Sequence, residues 1–431
     1  MMGQPKQRNG KLFYVGLSPE ERVPADHPLR AIDAAIDFGF VRGEVSHLYG
    51  DNGHVSLDPA VALRMMLLVY LDGVRSEREF MRQLPMRLDW LWFCRLDLDS
   101  TIPDHSVLSK ARQRWGEELF GKVFARVLEA CDRAGLVGGR TAHADSTLLK
   151  ASADREGRIS RTLWEQMEKG LPPDQPASGP TPAREAGDDD PPGLTITPTR
   201  PVSPARSERA TLNTMLVSPT DPDAATHTRQ GVGTILGYRD HRLTDDSRGI
   251  ILATHVTPAD GDDGAQLPVL LDQMAERLAR QPREVTGDSQ YGTLSNYEYC
   301  ERRGIKPYLK KRRGKGTPRV SWLRLLRPGC TPWNAIRLMG RRRTVAEGSF
   351  AEAHTRMDHW RCRWRRRWRV QIQAYLVATA QNIKKLAGSR RKATAGAAAA
   401  VRVLGNDLLE LLTKTTRREI TLVTDPRMTL V

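Results

Sequence analysis

Cysteine is scarce in this 431-residue chain. The five present (Cys94, Cys131, Cys300, Cys330 and Cys362) are odd in number and never fall at Cys-x-x-Cys spacing. Neither a disulfide framework nor a zinc site is signalled, and the cytoplasm is the natural compartment. Long apolar runs are also missing: nothing approaches the roughly 20 residues needed to span a bilayer, so no membrane partner is expected. The opening Met1-Met2-Gly3-Gln4-Pro5-Lys6-Gln7 lacks the apolar core of a signal peptide. A soluble intracellular protein is the expectation. Acidic residues are the third shortage, 51 against 67 Lys and Arg, for a formal charge of +16. The deficit is local. From Arg302 to Arg369 there are 22 Lys and Arg but only Glu347, Glu352 and Asp358, a net +19, so the remainder carries 16 − 19 = −3. A polyanion is the expected partner of such a segment, because each phosphate neutralised releases condensed counterions.

What is present is organised in blocks. Residues 1–135 have a helical pattern, with Asp58 as a cap before Pro59 and an apolar face through Leu63, Met66, Leu67 and Tyr70. Ser76 and Glu79 form a possible capping box. A third helix starts near Pro103-Asp104-His105-Ser106, and a fourth carries Leu119, Phe120, Val123, Phe124, Val127, Leu128 and Cys131 on one stripe before Gly135. Lys110, Arg112 and Arg114 are either a solvated face or part of a helix-turn-helix lying in a DNA groove; the pattern leaves both readings open.

Residues 136–159 are expected to begin a second domain with a strand holding Asp145. Residues 160–210, rich in Pro, Gly, Ser and charge, are expected to be a mobile insertion. From 211 to 386 strands and helices alternate: Gly237–Leu243 and Gly249–Val256 as paired strands, Leu267–Leu278 as a helix, Arg283–Thr286 as a short strand ending at Asp288, Leu294–Arg303 as a helix, and Gly304–Leu309 as a strand. A mixed sheet covered by helices follows, preceded by an all-α N-terminal domain. Residues 387–431 are read as a tail. His241 and His255 are read as core strand residues.

Three carboxylates in well-separated settings suggest one divalent-metal site: Asp145 in His143-Ala144-Asp145-Ser146-Thr147, Asp288 in Gly287-Asp288-Ser289, and Glu347 in Ala346-Glu347-Gly348-Ser349. Taken singly, Asp145 also fits a helix cap and Glu347 a helix-start carboxylate. Oxygen ligands suit Mg²⁺, with Mn²⁺ as a substitute, and two such ions can activate an attacking oxygen and stabilise a leaving one in phosphodiester chemistry. The separations, 288 − 145 = 143 and 347 − 288 = 59, leave assembly of the site to the fold. A serine esterase is excluded by the lack of a G-x-S-x-G elbow.

Trp360, Trp364 and Trp368 recur every four residues, predicting a helix over 359–369 whose indoles pack on the sheet, while Arg361, Arg363, Arg365, Arg366, Arg367 and Arg369 surround them. Such charge density points to DNA backbone contacts. Lys310, Lys311, Arg312, Arg313 and Lys315 extend that expectation.

Several of these segments together resemble the DDE transposases of bacterial insertion sequences, in the group named for a Tyr-Arg-Glu-Lys signature. The likeness is carried by Asp26-His27-Pro28-Leu29-Arg30, Pro103-Asp104-His105-Ser106, Asp145-Ser146-Thr147, Asp221-Pro222-Asp223-Ala224, Gly237-Tyr238 with His241, Gly287-Asp288 with Tyr291-Gly292, and Glu347-Gly348-Ser349-Phe350. It spans roughly Asp26 to Leu386. The resemblance implies a ribonuclease H-like core, metal-dependent cleavage and strand transfer, double-stranded DNA (element ends and target) as partner, a homodimer in a synaptic complex, and a bacterial, nucleoid-associated location. The signature falls on Arg343 and Glu347, with Gly340 at the Tyr position and His354 at the Lys position, so His354 and Arg343 become the expected phosphate contacts. The competing reading is a decayed transposase, or a helix-turn-helix protein that binds DNA without chemistry.

Overall fold

The computed structural model describes residues 18–50, 56–169, 212–229, 233–311 and 332–390. Helices fill its N-terminal part: α1 (Pro19–Arg22), α2 (Pro28–Ala35), α3 (Phe40–Val45), α4 (Pro59–Leu71), α5 (Glu77–Gln83), α6 (Leu88–Phe93) and α7 (Ser106–Arg133). Their starts follow the cap residues. Asp58 accepts from the Ala60 N–H at 3.0 Å with Pro59 next in line, and the Ser76 hydroxyl accepts from the Glu79 N–H at 3.1 Å. The third and fourth expected helices are two halves of α7, broken at Gly116, whose φ of 70° lies outside the helical region. The second half buries the predicted stripe from Leu119 to Cys131, and Gly135, with φ 69°, follows its end.

Beyond the helices lies a six-stranded sheet. Its long strands are β1 (Thr141–Lys150), β5 (Gly233–Asp245), β6 (Ile251–Pro258), β7 (Glu284–Gly292) and β8 (Lys306–Lys311); β4 (Ala225–Arg229) adds a sixth. Two further short strands, β2 (Ile159–Ser160) and β3 (Leu216–Val217), pair only with each other. Strand β1 runs antiparallel to β5 and parallel to β7; β5 is antiparallel to β4 and β6; β7 is parallel to β8. Taking the five long strands in chain order, the sheet reads third, second, first, fourth, fifth, with the second alone reversed. That is the mixed, ribonuclease H-like sheet flanked by helices that the resemblance implied.

The parallel steps are made by helices. Residues Gln266–Leu278 bury Leu267, Leu270, Leu271 and Met274 between β6 and β7 in the chain, and Leu294–Arg302 connects β7 to β8. A helix over 367–390 closes the β6 edge: Gln371 accepts from the Val256 N–H at 2.7 Å, and Asn382 both accepts from Ile251 N–H (2.9 Å) and donates to its carbonyl (2.8 Å). Side-chain amides thus satisfy an edge that would otherwise present unpaired backbone groups.

Three expectations are corrected. The insertion does not begin at 160: Ser160 caps a helix at Arg161–Glu168, and β2 pairs with β3; residues 170–211 lie outside those described. The short strand read from Arg283 and ending at Asp288 runs on to Gly292. The segment 359–366 is not helical. Asp358 takes a left-handed conformation (φ 56°) that ends the preceding helix, and the chain then runs alongside the end of β1, with Lys150 N–H donating to the Trp360 carbonyl (3.0 Å) and Cys362 N–H to the Lys150 carbonyl (2.7 Å). The expected tail, apart from the end of this last helix, falls outside the described residues.

Gly237 sits where β5 crosses closest to β1. A Cβ there would lie 2.0 Å from the Leu149 carbonyl oxygen. Gly237→Ala is expected to lower unfolding free energy by roughly 2–4 kcal/mol, as overpacking against backbone does; chemical denaturation measures it, and a loss under half a kcal/mol would contradict the close approach.

Candidate active site

The pairing of β1 with β7 has a constant offset: Thr141 faces Glu284, Ala142 faces Val285 and His143 faces Thr286. Each pair is 143 residues apart, the separation of Asp145 and Asp288. Continued for two residues, the same register sets the two carboxylates side by side on one face of adjacent parallel strands. At that point β7 leaves β8, since the ladder shifts between Gly287 and Gly292, and Asp288 folds back to accept from the Gln290 N–H at 2.8 Å. A bulge of this kind re-aims a side chain away from the regular pleat.

The third carboxylate arrives from a helix. Residues Pro332–Arg342 form an α-helix, Arg343–Glu347 widen into a π-helical turn, and Gly348–Met357 continue as α-helix. Ordinary helical neighbours on one face are three or four residues apart. The wider turn instead brings together residues five apart, and Arg342 donates to Glu347 Oε1 at 3.0 Å across that interval. Asp145, Asp288 and Glu347 all line one cleft of about 950 Å³, with Ser146, Thr147, Arg342, Phe350 and His354.

Arg342 is the residue the sequence did not single out. Three consecutive arginines split by helical phase. Arg341 is tied to Asp246 (2.9 Å), Arg343 faces solvent, and Arg342 is buried with its guanidinium between Asp145 Oδ1 (3.2 Å) and Glu347 Oε1 (3.0 Å). Nε and Nη1 of Arg342 have no hydrogen-bond partner in this setting, so charge holds the group more than directional bonding. Among the described residues, no three His, Cys, Asp or Glu side chains are arranged to enclose a metal ion; the space between two of the carboxylates is filled by this guanidinium. A second missed group is Asp263, which accepts from Ser146 Oγ at 3.0 Å, pairs with Arg239 and lies 3.3 Å from His241 Nδ1. Its signal was the Asp260-Gly261-Asp262-Asp263 cluster directly after β6. His241, a buried core residue as expected, therefore buttresses the cleft wall.

Electrostatics follow from burial. Asp145 is 9% exposed, and its pKa is raised from 3.8 to about 6, chiefly by desolvation, with Asp288 and Glu347 adding repulsion and Arg342 opposing it. His354 is pushed down to about 4 by burial and then by His359 and Arg242. It is uncharged at neutral pH and within 3.2 Å of the Thr147 hydroxyl, so where the signature has a lysine it offers a hydrogen bond without a charge.

The expected DNA-contacting residues divide. Arg112 is 4% exposed, bonded to Glu77 and stacked 3.9 Å from the Trp364 ring; it is a buried structural ion pair and no surface contact. Arg114 is exposed over the Tyr49 ring. Arg361 is paired with Asp358 at 2.7 Å, Arg363 donates to the Arg75 and Met357 carbonyls, and Arg365 donates to the Ser152 carbonyl at 3.0 Å while remaining exposed. Arg366 and Arg367 give their backbone N–H groups to Asp221 and Asp223. Internal acceptors therefore hold the guanidinium groups of Arg361, Arg363 and Arg365, which the sequence assigned to phosphates. Lys310 and Lys311 end β8; Arg312, Arg313 and Lys315 lie outside the described residues.

The raised pKa of Asp145 gives a signed expectation. Its folded-state value exceeds the unfolded one, so the folded protein binds the proton more tightly, and stability from this group is full below pH 4 and lost as pH rises to 6. Asp145→Asn is expected to flatten this pH 4–6 dependence and to raise metal-free stability at pH 7 by roughly 1–3 kcal/mol, the upper figure being the whole shift at 1.36 kcal/mol per unit and the lower allowing for the charge partner Arg342 loses. Denaturation across pH measures it; an unchanged pH profile would refute the assignment.

Comparison with known proteins agrees with the architecture. Residues 17–114 match the family described as a transposase domain (DUF772), and residues 214–383 match the transposase DDE domain. Asp288 and Glu347 lie within the second range, and Asp145 lies between the two. The transposase for insertion sequence element IS1106 of Neisseria meningitidis serogroup B is 25% identical over 162 residues, 38% of this chain and 51% of that protein, so the match spans about half the relative's length. A cryo-EM structure of a piggyBac transposase synaptic complex with hairpin DNA aligns with TM-score 0.35 and 9% identity over 91% of this chain and 79% of that one; the assignment rests on the sequence matches instead. With a transposase domain over its helices and a DDE domain over its sheet, the chain belongs to the DDE transposases of insertion sequences.

Proposed function

We propose that this protein binds the ends of its own element as double-stranded DNA, cuts them, and joins the freed ends to target DNA, with Asp145, Asp288 and Glu347 as the reacting centre. The observation that carries the reading is the meeting of three carboxylates, from β1, β7 and a helix, in one open cleft. Their oxygen-only chemistry fits hard divalent ions, Mg²⁺ with Mn²⁺ as a substitute, once Arg342 moves aside. A divalent ion held by these carboxylates would supply electrostatic stabilisation of the negative charge that develops on the attacking and leaving oxygens of a phosphodiester.

The chain's own residues do the rest. Asp145 is the most buried of the three and is fixed through its own Ser146 N–H (3.0 Å); Asp288 is held by the Gln290 N–H. Glu347 is the exposed member, at the junction of the π-turn and the following helix, and is free to adjust when Arg342 swings. The poorly satisfied guanidinium offsets repulsion between Asp145 and Glu347 and is replaceable because few bonds hold it. His354 lies on the same helical face as Phe350, beside Thr147, where a phosphate entering the cleft meets a neutral donor. The exposed Arg343 and Arg365 face solvent as candidate backbone contacts. A synaptic homodimer, holding two ends, is part of the same proposal.

Two measurements test it. Mg²⁺ or Mn²⁺ is expected to raise the thermal unfolding midpoint of the wild type, and Asp145→Asn, Asp288→Asn and Glu347→Gln each to abolish most of that shift. In a plasmid assay with the flanking inverted repeats, the wild type is expected to yield cleaved and strand-transfer products, and each of the three variants to lose at least a hundredfold in rate. Product formation by all three variants would remove the proposed centre; binding without any product from the wild type would mark a decayed transposase.

A further inference from the structure

The three tryptophans of the arginine-rich segment do not share one fate. Trp364 and Trp368 are partly buried and pack against the core. Trp360 is 46% exposed, because its segment runs extended beside the end of β1 rather than as a helix. An indole left in water forgoes the burial that its apolar area favours, and nothing in the fold's packing uses its outer surface.

Its position is specific. The carboxylate cleft shares Thr147, Leu148 and His354 with a second hollow of about 660 Å³, and that hollow shares Lys150 and Trp360 with a third of about 410 Å³. The three form one continuous track along β1. The second hollow also has Arg155 in its wall, and the third has Arg75, Arg361 and Arg363. Lys150 is exposed, and the Arg361 guanidinium lies 5.5 Å from the Trp360 ring. From Asp145 to Lys150 is five residues of strand, about 16 Å, or the length of about five stacked nucleotides. Cations that accept phosphates beside an aromatic face that accepts bases are the chemistry of a single-stranded nucleic-acid path. Bases inside a duplex have both faces covered by their neighbours, so along this track the indole is open to an unpaired base.

We infer that Trp360 is a stacking platform for an unpaired DNA base a few nucleotides from the phosphate in the carboxylate cleft, with the exposed Lys150 holding the adjoining backbone. This rests on the proposed function for the identity of the polymer, yet it is separable by experiment. The full chain is titrated into a blunt DNA duplex and into the same duplex with a single-stranded overhang carrying a fluorescent adenine analogue. The wild type is expected to bind the overhang form more tightly and to quench the analogue. Trp360→Ala is expected to lose the quench and about tenfold in affinity for the overhang form, as removal of a stacking aromatic does, while binding blunt duplex as before. Trp360→Phe is expected to recover most of both. Lys150→Gln is expected to reduce the salt slope by about one.

Unchanged overhang binding by Trp360→Ala, equal losses on both duplexes, or failure of Trp360→Phe to recover would overturn the inference, as would an overhang bound no better than a blunt end by the wild type. The two proposals fail differently. A wild type that stacks the overhang but makes no cleavage products leaves the platform standing and removes the transposition chemistry; products formed with no dependence on Trp360 do the reverse.

Discussion

Strand β1 has β5 on one edge and β7 on the other, and the register of those two pairings positions nearly everything else. Antiparallel pairing with β5 spans nine residue pairs from Ala142 to Lys150, long enough that a one-residue slip would turn the whole strand inside out. The short parallel pairing with β7 then has no freedom of its own. It brings the end of β7 alongside Asp145, and beyond the register shift after Gly287 the second carboxylate lines the same cleft. The buried pair Arg242 and Asp240, on the β5 side, extends the same constraint to the helix bearing Glu347: Arg242 lies 4.5 Å from the Phe350 ring and bonds Gln381 at 2.9 Å, while Asp240 accepts from His359. Removing one member would leave an uncompensated buried charge, so the sheet and the third carboxylate are locked together from beneath.

Gathering acids in a half-buried cleft has an electrostatic cost, visible in the rise of Asp145 to about pH 6. A protein can meet that cost by protonation, by a bound cation or by a cationic side chain. Here Arg342 does so, at a position set by the π-turn. Arginine suits the task because its charge does not titrate away, and with both Nε and Nη1 unpartnered it is less firmly held than Arg242, which lacks a partner only at Nη2. The same turn that brings Arg342 onto Glu347 is a weak point in the helix, since wider turns have poorer local packing and recur at functional sites. Assembly and release are therefore features of one local geometry.

Strands, helices and caps were legible because they depend on neighbours in sequence. Asp58 before Pro59, Ser76 before Glu79 and the stripe from Leu119 to Cys131 report local hydrogen bonding and periodicity, and each holds in three dimensions. The three carboxylates were legible as a set through family resemblance; that they share a cleft depends on the 143-residue register, which no local pattern encodes. The arginine and tryptophan run misled for a physical reason. Its four-residue recurrence satisfies helical spacing, but Asp358 ends the helix in a left-handed conformation, and the free edge at the end of β1 offers backbone partners that the segment takes instead. Arg112 was hidden likewise: its partner Glu77 is 35 residues away, and its stacking partner Trp364 is in the other domain.

That repacking changes the meaning of the net charge. A side chain already paired with a carboxylate displaces few counterions when a phosphate approaches, so the salt dependence of DNA binding counts free cations and not formal ones. Arg361 beside Asp358, Arg341 beside Asp246 and Arg342 between two acids are therefore poor predictors of affinity. Among the described residues Arg343, Arg365 and Lys150 are exposed, and their positions relative to the cleft decide what they can hold. Where described residues of the basic segment pair with acids of the fold, as Arg361 with Asp358, Arg341 with Asp246 and Arg342 with Asp145, the segment gains a fixed shape, and a fixed shape allows a phosphate backbone to be held at a defined distance from the carboxylates. Diffuse charge would hold DNA more strongly at low salt and place it less well.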